Sequence, residues 1–189
     1  MSALLKRINA IPKSTFTFSD IRKIAEMNDE SLRVSMNRLV NSGRVLRIIR
    51  GVYAHDLAHI DWEHLAQELY APSYLSFESV LGRVGILSQK PYALTLATTK
   101  RTRTIEAHTM TIRYHHIQPR LYWGYTREHT VFIAEPEKAF LDLAYLSLKG
   151  YATYDPSEMD LTVLDSAKIL RYLKKFNCVQ LSKRITPLF

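Results

Sequence analysis

The chain has 189 residues, 47% of them hydrophobic, which is enough apolar material for one large domain or two small ones. It has no run of about 18 apolar residues, so a membrane-spanning helix is not expected, and its N-terminus lacks the apolar core of a secretory signal. The net charge is +8, and Cys178 is the single cysteine, which excludes an internal disulfide and favours a reducing cytoplasm.

The positive charge is concentrated near the N-terminus. Residues 1–51 contain ten Lys or Arg and four Asp or Glu, a net of +6, whereas the other 138 residues share +2. A basic segment of this kind is typical of contact with nucleic-acid phosphates. Charge alone favours an ordinary solvated basic surface equally well.

Three helices are predicted in the N-terminal third. Apolar residues at helical spacing predict the first between Ser2 and Ile11, where Pro12 ends it. Ser19 is a good N-cap for a short second helix. Asn28 can cap a third helix that extends to Asn41 and ends at Ser42-Gly43, where glycine can adopt the left-handed conformation.

A short basic hairpin follows the third helix. Residues 44–49 are a β-prone run, Arg50-Gly51 makes the turn, and residues 52–54 return. A polar-faced helix, a glycine stop and a basic hairpin are the elements of a winged helix-turn-helix, in which the helix enters the DNA major groove and the hairpin contacts the adjacent backbone.

The third helix separates two kinds of side chain on a helical wheel. Leu32, Met36, Leu39 and Val40 cluster on one side and are expected to pack inward. The other side has the chemistry for reading bases, since Arg pairs with guanine, Asn pairs with adenine, and Val can contact a thymine methyl. The predicted DNA-binding residues of the helix and hairpin are Ser31, Arg33, Val34, Ser35, Asn37, Arg38, Asn41, Arg44, Arg47 and Arg50. The alternative for the hairpin arginines is that they solubilise a sheet edge.

The rest of the chain is predicted to form a second domain, so that residues 1–56 bind DNA and residues 60–189 form an α+β domain. Helices are predicted from Asp61 to Tyr70, after a Ser76 cap, from Pro136 to Gly150, and after an Asp165 cap. Strands are expected at 92–98, 104–107, 109–115, 121–125 and 130–134, and they are expected to form a mainly antiparallel meander. Six basic residues near these strands either form a second basic face or are ordinary solvent-side residues: Lys100, Arg101, Arg103, Arg113, Arg120 and Arg127.

Residues with catalytic or metal-binding spacing are sparse. The sequence has no GxxxxGK[ST] loop and no GxGxxG, and its seven histidines lack a metal-binding pattern. The segment Glu135-Pro-Glu-Lys138 is similar to the acidic-x-Lys triplet of metal-dependent nucleases. That triplet has a carboxylate two residues before the lysine, and this position is Pro136 here. A helix start with Pro at its first position explains the segment better. We therefore expect no enzyme activity, no cofactor and no metal.

Three segments resemble the AbiE-type (AbiEi-like) antitoxins of bacterial type IV toxin–antitoxin and phage-defence systems. RVLRIIRGVYA at 44–54 resembles their wing, YLSFESVL at 74–81 followed by Gly85-Ile resembles the start of their second domain, and IAEPEKAFLDL at 133–143 resembles its late strand-to-helix element. The resemblance spans about residues 20–148 in the expected order, and the chain after Gly150 matches nothing in the family pattern.

This resemblance implies a DNA-binding repressor that autoregulates its operon and acts as the antitoxin of a toxin–antitoxin system. The implied partners are double-stranded operator DNA with inverted repeats and a nucleotidyltransferase-like toxin, and homodimerisation is left open. The recognition helix maps onto residues 31–41 and the wing onto residues 44–53. The alternative is a stand-alone winged-helix transcription factor whose second domain senses a ligand or mediates dimerisation. A third hypothesis is a nuclease or other defence enzyme.

Overall fold

The computed structural model describes residues 3–89, 91–153 and 155–189, and it confirms the α+β class. The chain divides into two compact units. Unit 1 comprises Met1–Leu65 with Glu106–Thr109, and unit 2 comprises Ala66–Ile105 with Met110–Phe189. The longest described helices have 13 residues, and no helix in the described ranges has the length and apolarity needed to cross a membrane.

Unit 1 combines three helices with a small antiparallel sheet. Its elements are α1 (Ala3–Asn9), β1 (Thr15–Thr17), α2 (Phe18–Ile24), α3 (Asp29–Asn41), β2 (Leu46–Ile49) and β3 (Val52–Ala54). The three strands are hydrogen-bonded in the order β1-β3-β2. The three predicted helices and the predicted hairpin are therefore present, whereas β1, the third strand, was not expected from the sequence.

Local hydrogen bonds fix the ends of α2 and α3. Thr17 caps α2 through a reciprocal pair: its Oγ1 accepts from the Asp20 N–H at 3.1 Å, and its own N–H donates to Asp20 Oδ2 at 2.9 Å. The predicted Ser19 cap is wrong for this reason. The predicted Asn28 cap is confirmed, because its Oδ1 accepts from the Ser31 N–H at 2.9 Å.

The end of α3 is a Schellman motif. The Gly43 N–H donates to the Val40 carbonyl and the Arg44 N–H donates to the Leu39 carbonyl, each at 3.0 Å. Gly43 has a φ of +68°, in the left-handed region that glycine adopts without steric cost. The predicted glycine stop is confirmed, and it directs the chain from α3 into β2.

The core of unit 1 contains the apolar face of α3. Leu32, Met36 and Leu39 are buried as the wheel predicted. They join a cluster that also contains Leu4, Leu5, Ile8, Phe16, Ile21, Val45 and Tyr53. Because this cluster fixes which side of α3 faces inward, it also fixes which side faces solvent.

Unit 2 is built around a six-stranded mixed sheet. Its strands are β4 (Ser73–Leu75), β5 (Ala93–Thr98), β6 (Arg103–Ala107), β7 (Met110–His116), β8 (Tyr125–Glu128) and β9 (Val131–Ala134). Its helices are α4 (Trp62–Leu69), which begins in unit 1, and α5 (Glu78–Arg83), α6 (Pro136–Leu148), α7 (Ser166–Phe176) and α8 (Val179–Ile185). The strand order is β6-β7-β5-β4-β9-β8.

The sheet is mixed and mostly antiparallel, but the expected meander order is wrong. β4 pairs antiparallel with β5 and β8 pairs antiparallel with β9, but β5–β7 and β4–β9 are parallel. Two features break the meander: β6 lies at the sheet edge outside β7, so β5 pairs directly with β7, and β4, a buried three-residue strand that was not predicted, lies at the centre of the sheet between β5 and β9. The expected strand at 121–125 is also wrong, because Pro119–Leu121 forms a 3-10 helix and β8 begins only at Tyr125.

Helix α6 is enclosed on all sides. Every residue from Glu137 to Leu146 is buried, and apart from Asp142 the residues of this range after Lys138 are apolar or aromatic. Two charged side chains, Lys138 and Asp142, lie one turn apart in this interior and have no exposed surface. They make α6 the central element of the buried polar network described below.

Replacement of Gly43 tests the Schellman motif. We expect Gly43→Ala to destabilise the end of α3 by about 1 kcal/mol, because a Cβ disfavours the left-handed conformation. Amide hydrogen exchange in the last turn of α3 measures the loss. Gly43→Asn is the matched control and should cost less, since Asn tolerates this conformation. Equal protection in the Ala variant and the unmodified chain would contradict this expectation.

Candidate functional site

The solvent face of α3 presents most of the predicted DNA-binding residues. Ser31, Arg33, Val34, Asn37, Arg38 and Asn41 are exposed, and Val34 is 46% exposed in the middle of this face. Ser35 is half-buried and lies at the border of the face. The side chains recur every three or four residues, so they form one stripe along the helix.

The hairpin carries a second group of exposed cations. Arg44, Arg47 and Arg50 are exposed at its start, on β2 and at its turn. Arg47 pairs with the buried Tyr53 across the hairpin, and a register shift follows it on β2. Tyr53 belongs to the core, as predicted, so the base of the hairpin is anchored while its arginines remain in solvent.

Phe18 connects the hairpin turn with α3. Its N–H, at the start of α2, donates to the Gly51 carbonyl at 2.9 Å. The Arg33 guanidinium lies over the Phe18 ring, with Cζ 5.9 Å from the ring centroid. The turn of the hairpin and the stripe on α3 are therefore held beside the same residue. We call the exposed residues of α3 and the hairpin arginines together the α3–hairpin face.

Unit 1 distributes its ion pairs unevenly. Three of the four cations of α1 and α2 pair with acids, and the N···O distances are 2.7 Å for Arg7–Glu26, 3.6 Å for Arg22–Asp29 and 4.0 Å for Lys23–Asp20. Within the described ranges, none of the five arginines of the α3–hairpin face forms an ion pair: Arg33, Arg38, Arg44, Arg47 and Arg50. Their charge is left available to an anionic partner.

The chemistry of the α3–hairpin face matches the edges and backbone of a DNA duplex. Guanidinium groups can donate twice to guanine or to phosphate, carboxamides can pair with adenine, and an exposed valine can contact a thymine methyl. Asp29 and Glu30 stand in the first turn of α3, where they interact favourably with the helix dipole.

A buried polar network lies in unit 2. Lys138 Nζ donates to Tyr74 Oη at 2.9 Å and forms a short ion pair with Asp142 Oδ1. Tyr74 Oη and Ser76 Oγ donate to Asp142 Oδ2 at 3.0 and 2.9 Å. We call these four residues the Lys138 network. It joins β4 and the residue after it to α6, and it satisfies both oxygens of the Asp142 carboxylate.

Burial opposes the charges of this network. Desolvation lowers the pKa of Lys138 and raises the pKa of Asp142, while the attraction of each for the other acts in the opposite direction. The ammonium also lies near aromatic rings: its Nζ is 5.1 Å from the ring centroids of both Trp123 and Phe176. Gly124 makes room for the aliphatic stem, because a Cβ there would lie 3.0 Å from Lys138 Cγ. Removal of only one partner of such a buried pair strongly destabilises the fold.

The charged groups of the Glu135-to-Lys138 segment have structural partners. Glu137 Oε2 lies 2.8 Å from Lys168 Nζ on α7, Glu135 Oε1 lies 3.6 Å from the same ammonium, and Lys138 belongs to its own network. The Pro136 helix start is confirmed. No group of three or more His, Cys, Asp or Glu side chains in the described ranges is arranged to hold a metal.

Sequence reasoning did not identify the Lys138 network. A Lys and an Asp four residues apart usually form an exposed pair on a helix surface. The available signal was their position inside an otherwise apolar helix. Tyr74 and Ser76 belong to the 74–81 segment, and Lys138 and Asp142 belong to the 133–143 segment. The network therefore brings into contact two of the segments that carry the antitoxin resemblance.

Comparisons with known proteins add no assignment: no protein-family model matches the sequence, and no curated protein matches it significantly. The resemblance to AbiE-type antitoxins therefore rests on the three segments quoted above.

Two variants test the Lys138 network. We expect Asp142→Leu to destabilise unit 2 by about 3–5 kcal/mol, because it leaves a buried ammonium without its counter-charge. The double variant Lys138→Met with Asp142→Leu removes both charges and should recover most of this loss. Urea unfolding followed by fluorescence measures both. A double variant no more stable than Asp142→Leu would contradict this interpretation.

Proposed function

We propose that this protein is a DNA-binding transcriptional repressor whose unit 1 acts as a winged helix-turn-helix. In this proposal α3 enters the major groove and the β2–β3 hairpin contacts the adjacent backbone. At about 1.5 Å per residue, the thirteen residues of α3 span roughly 20 Å. The 31–41 stripe would then lie along the base edges.

One observation supports this proposal most strongly: five exposed arginines without ion pairs among the described residues lie on α3 and the hairpin, while Arg7, Arg22 and Lys23 of α1 and α2 are paired with acids. A purely structural surface would more often pair such arginines with acids. Exposed Asn37, Asn41 and Val34 between them are suited to base edges rather than to phosphate alone.

We further propose that the repressor autoregulates its own operon and acts as the antitoxin of a toxin–antitoxin system in the cytoplasm. This step depends on the resemblance to the AbiE-type antitoxins. It gives the protein two partners, an operator with inverted repeats and a nucleotidyltransferase-like toxin, and it assigns no enzymatic role. Unit 2 would carry the antitoxin function, with the Lys138 network holding together the two segments that resemble the family.

DNA binding is tested by gel shifts with the DNA upstream of the protein's own gene. We expect the unmodified chain to bind, and Arg33→Ala and Arg38→Ala each to weaken binding to the specific site by about 1–3 kcal/mol through loss of a base contact. Arg171→Ala, an exposed arginine of α7, is the matched control and should leave binding unchanged. No shift at low salt, or equal binding by the Arg33→Ala/Arg38→Ala double variant, would refute the proposal.

The hairpin arginines are expected to act differently from those of α3. Arg47→Ala should weaken binding to all sequences alike and should reduce the salt dependence of the binding constant by about one phosphate contact. Fluorescence anisotropy over a series of salt concentrations measures the slope. An unchanged salt dependence would show that Arg47 makes no phosphate contact, and it would not bear on the role of α3.

The antitoxin role has a separate test. If the adjacent gene encodes a nucleotidyltransferase-like protein, its expression should arrest growth, and co-expression of this chain should restore growth. The double variant Arg33→Ala with Arg38→Ala should lose operator binding and retain this rescue, because the substitutions lie in unit 1. Operator binding without rescue, or the absence of such a gene, would favour the stand-alone transcription factor.

A further inference from the structure

Unit 2 contains a cavity that the proposed DNA and antitoxin roles do not use. Its volume is about 500 Å³, within the range of small-molecule sites. Its walls come from the start of β6, the end of β7 and the end of α6, and the lining residues are Thr102, His115, His116, Leu146, Lys149 and Tyr151. We call it the Lys149 cavity.

Two residues with hydrogen-bond donors line this cavity. Lys149 is exposed and forms no ion pair within the described ranges, and its Nζ lies 4.7 Å from the centroid of the Tyr145 ring. Thr102 Oγ1 accepts from the His116 N–H at 3.1 Å, so its own hydroxyl proton can be donated elsewhere. An ammonium and a hydroxyl are thus available to the same ligand.

The two histidines have different environments. His116 Nδ1 lies 2.9 Å from the Lys100 carbonyl, and since a carbonyl only accepts, Nδ1 carries the proton of this hydrogen bond. His115 is half-buried, and its ring meets Phe77 edge-on at 5.2 Å. Burial lowers the pKa of His115 below its usual value, although Glu78 acts in the opposite direction, so the surroundings favour the neutral imidazole.

The remaining walls are suited to a planar ring. Leu146, which is only 2% exposed, contributes a small aliphatic part of the wall, and Tyr151 is 70% exposed. None of the described residues that line the cavity is acidic. A ligand with an anionic group and a flat apolar part suits this lining. Its anion would accept hydrogen bonds from Lys149 and Thr102, and its ring would pack on Leu146 and Tyr151.

From this arrangement we infer that the Lys149 cavity binds a mononucleotide, with its phosphate at Lys149 and Thr102 and its base against Tyr151. The inference is independent of DNA binding by unit 1, since every lining residue belongs to unit 2. The inferred nucleotide would be the ligand of a sensor domain. The inference does not require that the nucleotide change DNA binding.

Isothermal titration calorimetry of the full chain with AMP, GMP, CMP and UMP tests this site. We expect at least one nucleotide to bind, its nucleoside to bind at least tenfold more weakly, and inorganic phosphate to compete weakly, since each lacks part of the recognised chemistry. If inorganic phosphate bound as tightly as the nucleotide, the proposed contact between the base and Tyr151 would be overturned. No binding by any of the four up to about 1 mM would overturn the proposal.

Substitutions locate the binding to this cavity. Lys149→Ala should weaken the nucleotide about tenfold by removing a charge-assisted contact. Lys174→Ala is the matched control, because Lys174 is an exposed lysine of α7 outside the cavity, and it should bind as the unmodified chain does. Equal weakening by both variants would show general charge attraction and would overturn the site.

Histidine NMR provides a readout that does not depend on affinity alone. Addition of the bound nucleotide should shift the imidazole signals of His115 and His116, and it should leave those of His55 and His59 in unit 1 unchanged. Shifts confined to the unit 1 histidines would place the ligand elsewhere and overturn the assignment.

Discussion

The ion pair between Lys138 and Asp142 is the constraint around which unit 2 is arranged. Two charges without exposed surface require partners for all their polar atoms, and these partners come from β4 and from the residue that follows it. The network therefore joins α6 to the short strand β4, which lies between β5 and β9 at the centre of the sheet. The absence of a side chain at Gly124 and the rings of Trp123 and Phe176 complete the enclosure.

Unit 1 uses charge in the opposite way. Its core fixes α3 through Leu32, Met36 and Leu39, and its acids pair with three of the four cations of α1 and α2. The arginines of the α3–hairpin face remain in water without acidic partners among the described residues. In unit 2 the charge is buried and satisfied within the fold, whereas in unit 1 it is exposed and directed outward, as the proposed DNA-binding role requires.

Sequence reasoning was correct where the interactions are local in the chain and failed where they join distant residues. The caps at Asn28 and Gly43 and the buried face of α3 depend on residues three or four positions apart, and these predictions are confirmed. Strand β4 has only three residues, and its place depends on partners more than twenty residues away, so alternation could not predict it. The Lys138 network was missed because its charge spacing is the same as that of an exposed helical pair.

The hydrogen bond from the Phe18 N–H to the Gly51 carbonyl has a consequence for the kinetics and thermodynamics of recognition. It ties the hairpin turn to the start of α2, while the core holds α3, so the turn and α3 are both ordered before any partner binds. A rigid, preorganised surface loses little conformational entropy on association and docks nearly as one body. Electrostatic attraction should then set how fast complexes form, and the fit of individual side chains should set how long they last.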